Sequence, residues 1–249
     1  MKKIISFSLW GEDPKYSVGA IRNAELALEI YPGWVCRYYI GSCVPQGVAN
    51  TLLKFPNVEV VNKDKVGDWT GFFWRYPPAS EHDVEIMISR DTDSRLGPRE
   101  KAAVDEWMES DKGFHIMRDH PCHSFPVLGG MWGVKQGVIP NIEQIVANFN
   151  KGNYYTIDYE FFAQCIIPLV EGNIMTHDEF FSGNKFPTTS DGYNFVGQIF
   201  NEYEETVDIE DICKCINCDE GFSDDYFVYT SKEDRDFHFD ENIKIDIKN

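Results

Sequence analysis

The sequence predicts an α/β fold, a mostly parallel sheet flanked by helices, with an acidic C-terminal extension. Short apolar runs alternate with helical stripes through the first half of the 249 residues. This alternation is typical of right-handed β-α-β crossovers. Residues 201–249 hold 16 of the 41 acidic side chains but only 5 of the 23 basic ones. We therefore predict a single domain over residues 1–200 and an acidic extension over residues 201–249.

The first strand is the apolar run over residues 4–10, which Gly11-Glu12-Asp13-Pro14 brings to an end. A helical stripe of apolar side chains follows from Tyr16 to Tyr31, and Pro32-Gly33 stops it. Pro98 and Glu100 suit the first turn of another helix. The predicted elements that remain are strands at 34–40, 58–61 and 84–88 and helices at 48–53, 98–109, 141–149 and 158–170.

The net charge, 23 − 41 = −18, excludes some classes of partner. Nucleic acids and anionic membranes are both bound through Lys and Arg, so neither is expected here. No stretch approaches the roughly 18–20 apolar residues of a transmembrane helix. The seven cysteines are odd in number and mostly scattered, which favours a reducing compartment. We predict a soluble, cytoplasmic protein.

Two aspartates, Asp91 and Asp93, come directly after the apolar strand at 84–88. Ligands of open parallel sheets bind outside the carboxyl ends of the strands, so these carboxylates should face the crevice. With Thr92 between them they can share a hard cation and leave positions for phosphate oxygens. Arg90 and Arg95 flank the pair and could orient it or contact a nucleotide. A plain turn is the alternative interpretation.

The run from Ile86 to Arg95 resembles the Asp-x-Asp segment of nucleotide-sugar glycosyltransferases with the GT-A (Rossmann-like) fold. Similarity to short glycosyltransferase-like proteins of bacteria and large DNA viruses extends through residues 99–107 and 115–121 to Gly129-Gly130-Met131-Trp132-Gly133. It spans roughly residues 1–200. It implies transfer of a sugar from a nucleoside diphosphate-sugar donor to a saccharide or glycoconjugate acceptor, with Mn²⁺ or Mg²⁺ on Asp91 and Asp93. For a viral protein the compartment would be the host cytoplasm.

Two alternatives remain open at this point. One is a non-catalytic module that binds a nucleotide or a sugar. The other is a sugar nucleotidyltransferase, because GT-A folds also host that reaction. The second is disfavoured, since residues 7–13 after the first strand are apolar and then acidic rather than glycine-rich and basic.

The same resemblance implies roles for four residues in the second half of the chain. His177 to Pro187 resembles a loosened His, Gly, Lys, Pro segment of retaining family 8 glycosyltransferases, which makes His177 a metal ligand and Lys185 a diphosphate contact. Asp158 and Glu160 occupy the place of an acidic segment before a helix, where they would reach sugar hydroxyls or act as a general base. A surface histidine and a helix N-cap at Asp158 are the respective alternatives.

Further donor contacts are predicted from glycines and from the first strand. Gly129 and Gly130 would let the backbone approach a sugar, with Trp132 as an apolar platform, although a tight turn with a core tryptophan also fits. Arg75 could reach the donor or form an ion pair. The end of the first strand should meet the nucleobase and ribose by the crevice rule and by the resemblance; its residues are Phe7, Ser8 and Leu9.

Two cysteine and histidine groups raise the question of zinc. Pro121 prevents His120, Cys122 and His123 from sharing one helical face, and no matching second pair exists. Cys213, Cys215 and Cys218 are one ligand short of a zinc set unless His238 joins them. We therefore expect free cysteines in both places.

Overall fold

A computed structural model describes residues 1–149, 152–190 and 194–207. Seven strands form one sheet in the order β3-β2-β1-β4-β6-β5-β7, in which only β6 runs antiparallel to its neighbours. The strands are β1 (Lys2–Leu9), β2 (Val35–Gly41), β3 (Val58–Lys63), β4 (Val84–Ser89), β5 (Phe114–Arg118), β6 (Trp132–Lys135) and β7 (Ile174–Asp178).

Helices cover both faces of the sheet. They are α1 (Pro14–Ile30), α2 (Gln46–Leu52), α3 (Pro98–Glu109), α4 (Ile142–Asn148), α5 (Ile157–Phe161) and α6 (Ile167–Val170), with a π-helical segment, Phe162–Ile166, that joins the last two. Two 3-10 helices, Trp69–Arg75 and Pro77–Ser80, precede β4. Helix α1 begins two residues before the predicted Tyr16, because Pro14 occupies its first turn and the Asp13 side chain accepts the Lys15 amide.

The side chains of β1 and β4 alternate between two hydrophobic cores. Phe7 and Ile88 belong to the core beneath α1 and α3. Ile4 and Met87 belong to the second core, which the 3-10 helix Trp69–Arg75 and the helices after residue 142 cover. Successive residues of a strand point to opposite faces. This alternation decides which side chains at the strand ends can reach a site on either face.

The predicted fold class is confirmed, since a mostly parallel sheet is flanked by helices on both faces. Strands β5, β6 and β7 were not predicted: the sequence indicated a glycine loop at β6 and a polar loop at β7. No helix of the described part is long and apolar enough to span a bilayer. The three cysteines from Cys213 onward and most of the acidic extension lie outside the described residues.

Candidate functional site

Asp91 lies at the carboxyl end of β4, on the face that carries Ser89. Its side chain is 46% exposed, and its Oδ1 is 2.5 Å from Nη1 of Arg75. Arg75 ends the 3-10 helix Trp69–Arg75, is fully buried, and also donates to the backbone carbonyl of Arg90 at 2.8 Å. The ion-pair interpretation of Arg75 is therefore the arrangement found. The pair anchors the turn that carries both aspartates.

Asp93 is largely buried beside Asp91. Burial, followed by the charge of Asp91, raises the pKa of Asp93 to about 6, against the opposing influence of Lys15. The Lys15 Nζ lies 3.9 Å from the carboxylate, a long ion pair. A cation shared by the two carboxylates would favour their ionised forms and remove this repulsion.

Asp158 brings a third carboxylate to the same place from the first turn of α5. It is buried, and burial raises its pKa to about 7, with Arg75 opposing and Asp91 adding to the rise. No described residue hydrogen-bonds to its Oδ1. Thr156 occupies the N-cap position, so Asp158 is not the helix cap. A buried carboxyl that titrates near neutrality is typical of acid–base groups.

Glu160 does not join this cluster. Residues two positions apart on a helix lie roughly 200° apart around its axis. Since Asp158 faces inward, Glu160 points away from the carboxylates, and its predicted catalytic role is not supported by the geometry.

Gly129 and Gly130 pack directly against two of these carboxylates. A Cβ on Gly129 would lie 2.2 Å from Oδ2 of Asp158, and one on Gly130 would lie 2.0 Å from Oδ2 of Asp91. The Ser89 hydroxyl holds the loop by donating to the Gly129 carbonyl at 2.6 Å. Any side chain at these two positions would displace a carboxylate, so glycine is required there. The sequence predicted that these glycines let the backbone approach a sugar; in the structure the groups that they approach are the carboxylates.

His177 is not brought to Asp91 and Asp93. It lies fully buried in β7, three strands from β4 and thus roughly 14 Å away across the sheet. Its Nδ1 is 2.7 Å from Nε2 of His115, and its Nε2 is 3.6 Å from Glu106. Burial lowers the pKa of both histidines. The prediction that His177 shares a metal with the aspartates is corrected: its partners come from α3 and β5.

The basic residues predicted near the diphosphate are paired elsewhere. Arg90 is buried on the α3 side of the sheet, with its Nε 3.2 Å from Glu100. Lys185 is exposed and lies beside Glu179, whose carbonyl accepts its ammonium. Arg95 pairs with Glu204 at 2.7 Å. Arg90 and Lys185 do not contact the carboxylate cluster, so their predicted donor roles are not supported. Arg95 stays near the cluster, because its Nη1 donates to the Thr92 carbonyl at 3.3 Å and its charge opposes the rise in the pKa of Asp93.

Three predicted donor contacts are core residues. Phe7 stacks on Tyr38 at 4.7 Å, and Leu9 is buried in the same core. Trp132 belongs to β6 and is fully buried in the second core. Of Phe7, Ser8 and Leu9, only Ser8 lies on the site's face, and no described residue bonds to its buried hydroxyl. Thr92 is also buried, and its carbonyl lies against Gly19 of α1.

The histidine pair after β5 does not form a zinc clip. Nδ1 of His123 accepts the Asp119 amide and Nδ1 of His120 accepts the Cys122 amide, both at 3.1 Å. Burial lowers the pKa of His123 to about 3. Across the described ranges no group of three or more His, Cys, Asp or Glu side chains could hold a metal.

Sequence reasoning missed Lys15, Tyr16 and Tyr155, which lie around the carboxylates. The charges of Asp91 and Asp93 contribute to raising the pKa of both tyrosines, after burial. Lys15 and Tyr16 follow β1 in the loop and first turn of α1, at the same sheet edge as Asp91. The crevice rule applied to that loop would have found them. Nothing in the local sequence around Tyr155 indicates its position.

Comparisons with known proteins find similarity in structure only: no family model and no curated protein matches. A glycosyltransferase involved in the glycosylation of the major capsid of PBCV-1 is 16% identical, with a TM-score of 0.49, over 72% of this chain and 82% of that one.

Two further solved structures are similar at comparable levels. A mannosyltransferase from Pyrobaculum calidifontis in complex with GDP-Man and Mn²⁺ is 11% identical, with a TM-score of 0.47, over 72% of this chain and 55% of that one. A 4-diphosphocytidyl-2C-methyl-D-erythritol synthase from Anaerococcus prevotii is 12% identical, with a TM-score of 0.46, over 77% and 92%. Glycosyltransferases are among the solved structures that the chain resembles.

Proposed function

We propose that the protein transfers a sugar from a nucleoside diphosphate-sugar donor to a hydroxyl of a saccharide or glycoconjugate acceptor. One observation carries the proposal: three carboxylates from two separate parts of the chain, Asp91, Asp93 and Asp158, lie together at the carboxyl edge of the parallel strands. Gly129 and Gly130 allow the loop before β6 to pack closely against two of them, Asp158 and Asp91. Crevices at this edge are where open α/β sheets bind their ligands.

The carboxylate oxygens of the site suit a hard divalent cation that has no third protein ligand. Mg²⁺ is commonly bound by one or two carboxylates, with substrate phosphates and water completing its shell, and Mn²⁺ accepts the same oxygens. Asp91 and Asp93 supply such a pair. After burial, the charge of Asp91 contributes to the raised pKa of Asp93, and a cation would relieve this repulsion. When bound, the ion would neutralise charge on the leaving diphosphate.

Charge around the site supports a requirement for that cation. Three basic groups lie near the carboxylates, and each is already paired with an acidic side chain. Lys15 pairs with Asp93, Arg75 with Asp91 and Arg95 with Glu204. A diphosphate would therefore approach a place with excess negative charge. We expect nucleotide binding to be lost when divalent metal is removed.

Asp158 is the proposed general base. In an inverting transfer the bond from the anomeric carbon to the diphosphate oxygen breaks, the acceptor oxygen bonds to that carbon, and the hydroxyl proton passes to the Asp158 carboxylate. Its pKa of about 7 is close to the value at which a general base works best at neutral pH. Arg75 would act as a positioning residue, because it lies between Asp158 and Asp91.

The experiment is a panel of UDP-, GDP- and dTDP-sugars with Mn²⁺ in which nucleotide release is measured with and without simple acceptors. Asp93→Asn should abolish release, whereas Asp111→Asn should leave it unchanged, since Asp111 is 87% exposed and far along the chain, after α3. Binding without release under every acceptor would favour the non-catalytic module. No binding at all, or full activity of Asp93→Asn, would overturn the proposal.

A further inference from the structure

An exposed cluster of aromatic rings borders the carboxylates. It consists of Trp10, Trp69, Phe72 and Tyr155, and we call it the aromatic platform. Trp69 and Tyr155 are 41% and 43% exposed, which is unusual for rings of this size. Their centroids are 5.3 Å apart, and Trp69 stacks on Phe72 at 5.8 Å. Trp10, at the end of β1, lies beneath, 5.2 Å from Phe72.

Close backbone contacts hold the platform in place. Gly67 and Gly71 pack against the Trp10 side chain so tightly that a Cβ on either would lie within 3.0 Å of it. The Trp69 amide donates to the side chain of Asn153 at 3.1 Å, which joins the 3-10 helix to the loop before α5. The rings are therefore preorganised, and a ligand that stacks on them does not have to order these side chains.

Two of the three segments that form the platform lead to the carboxylate cluster. The 3-10 helix begins at Trp69 and ends at Arg75, which pairs with Asp91. Tyr155 lies three residues before Asp158, in the turn that leads into α5. A molecule lying on the exposed rings would thus extend toward the proposed general base.

The charges beside the rings favour a neutral polyhydroxylated ligand. Tyr155 is close enough to Asp91, Asp93 and Asp158 for all three to contribute to raising its pKa, after burial. Carboxylates accept hydrogen bonds from hydroxyls, whereas they repel phosphates and carboxylates. A sugar ring combines an apolar C–H face, which suits an aromatic surface, with hydroxyls that suit an acidic border.

We propose that the aromatic platform is the acceptor subsite and binds the apolar face of a neutral saccharide. This inference rests on the proposed function, since it takes Asp158 to be the base that receives the acceptor's proton. Trp69 and Tyr155 are the stacking residues, and Trp10 and Phe72 support them from beneath. The bound sugar ring presents a hydroxyl toward Asp158.

The test uses the full-length protein without donor or metal. Trp69 is the most exposed of the six tryptophans, so its fluorescence should report saccharide binding. We would titrate the protein with neutral methyl glycosides of glucose, galactose and mannose and with their disaccharides. Saturation-transfer NMR would serve as a readout independent of that fluorophore. We expect a saturable response to at least one glycoside in the millimolar range.

Variants separate stacking from other effects. Loss of one stacking ring should weaken binding roughly tenfold, so Tyr155→Ala should lower affinity while Tyr155→Phe keeps it. Trp69→Ala should abolish the fluorescence change and the NMR signal. Leu169→Ala is the matched control, because Leu169 is an exposed apolar residue of α6, away from these segments.

Each outcome has a distinct meaning. No saturable glycoside response, or an undiminished one in folded Tyr155→Ala, overturns the inference. A response to UMP in place of glycosides would make the platform a nucleobase site and also overturns it. Glycoside binding without sugar transfer by the panel would keep the platform as a saccharide-binding surface but contradict the proposed function and, with it, the acceptor role. Metal-dependent transfer with no glycoside response would leave the proposed function standing and overturn the inference.

Discussion

Replacing Asp158 by asparagine should make the protein more stable and less active. Burial raises the pKa of the Asp158 carboxyl from 3.8 to about 7, and at 1.36 kcal/mol per unit this corresponds to a penalty of up to about 4 kcal/mol for the ionised folded state. The unfolded carboxyl loses its proton near pH 4 and the folded one near pH 7. The contribution of Asp158 to stability is therefore lost as pH rises through this window.

Urea unfolding at pH 5 and pH 7.5 measures this difference. Relative to Asp158→Asn, the wild type should lose roughly 2–3 kcal/mol of unfolding free energy between these two pH values. Asp111→Asn removes an exposed carboxylate and should follow the wild type. The same proteins can be compared in activity assays. For the wild type, kcat/KM should rise with pH through about 7, because a base must be ionised to act. Asp158→Asn should lose turnover while still binding donor. Parallel stability profiles of Asp158→Asn and the wild type would refute the assignment of the raised pKa.

Three other substitutions probe the site. Gly130→Ala places a Cβ 2.0 Å from the Asp91 carboxylate, so Mn²⁺-dependent nucleotide affinity, measured by calorimetry, should be at least tenfold weaker. Gly47→Ala is the control and should not change this affinity, because no atom lies within 4 Å of its Cβ position. Retained affinity in Gly130→Ala would be inconsistent with a metal on Asp91. Arg75→Met removes the cation beside the half-exposed Asp91 and the buried Asp158, and it should lower the unfolding free energy in urea by about 1–3 kcal/mol. An unchanged midpoint would contradict this. His177→Gln removes the bond to His115 and should lower the unfolding free energy by about 1–3 kcal/mol in the same assay. It should leave the affinities for Mn²⁺ and nucleotide unchanged, and a selective loss of metal binding would restore His177 as a ligand.

Periodicity was sufficient for the α-helices and for strands β1 to β4, and insufficient for strands β5 to β7. The predicted strands and α-helices carry clear apolar runs or stripes and lie within a few residues of those observed, whereas the two 3-10 helices before β4 were not predicted. β6 has only four residues and overlaps the glycine run that ends at Gly133. β7 contains His177 and Asp178, which give the appearance of a polar loop; yet both are buried, because His115, Glu106 and Arg118 supply their partners from elsewhere in the chain. Such partnerships are properties of the folded chain, and no local pattern encodes them.

Arg75 and Arg90 show the same contrast between local pattern and folded partnership at the site itself. Arg90 is adjacent to Asp91 in sequence and was predicted to contact the donor, but consecutive residues of an extended chain point to opposite faces of the sheet. Its guanidinium therefore meets Glu100 on the α3 side. Arg75 is 16 positions away, and the 3-10 helix returns it to the face of Asp91 and Asp158. The carboxyl edge of a parallel strand can thus be located from sequence. Which basic side chain pairs with the carboxylates at that edge cannot, because it depends on strand alternation and on how a distant segment crosses the edge.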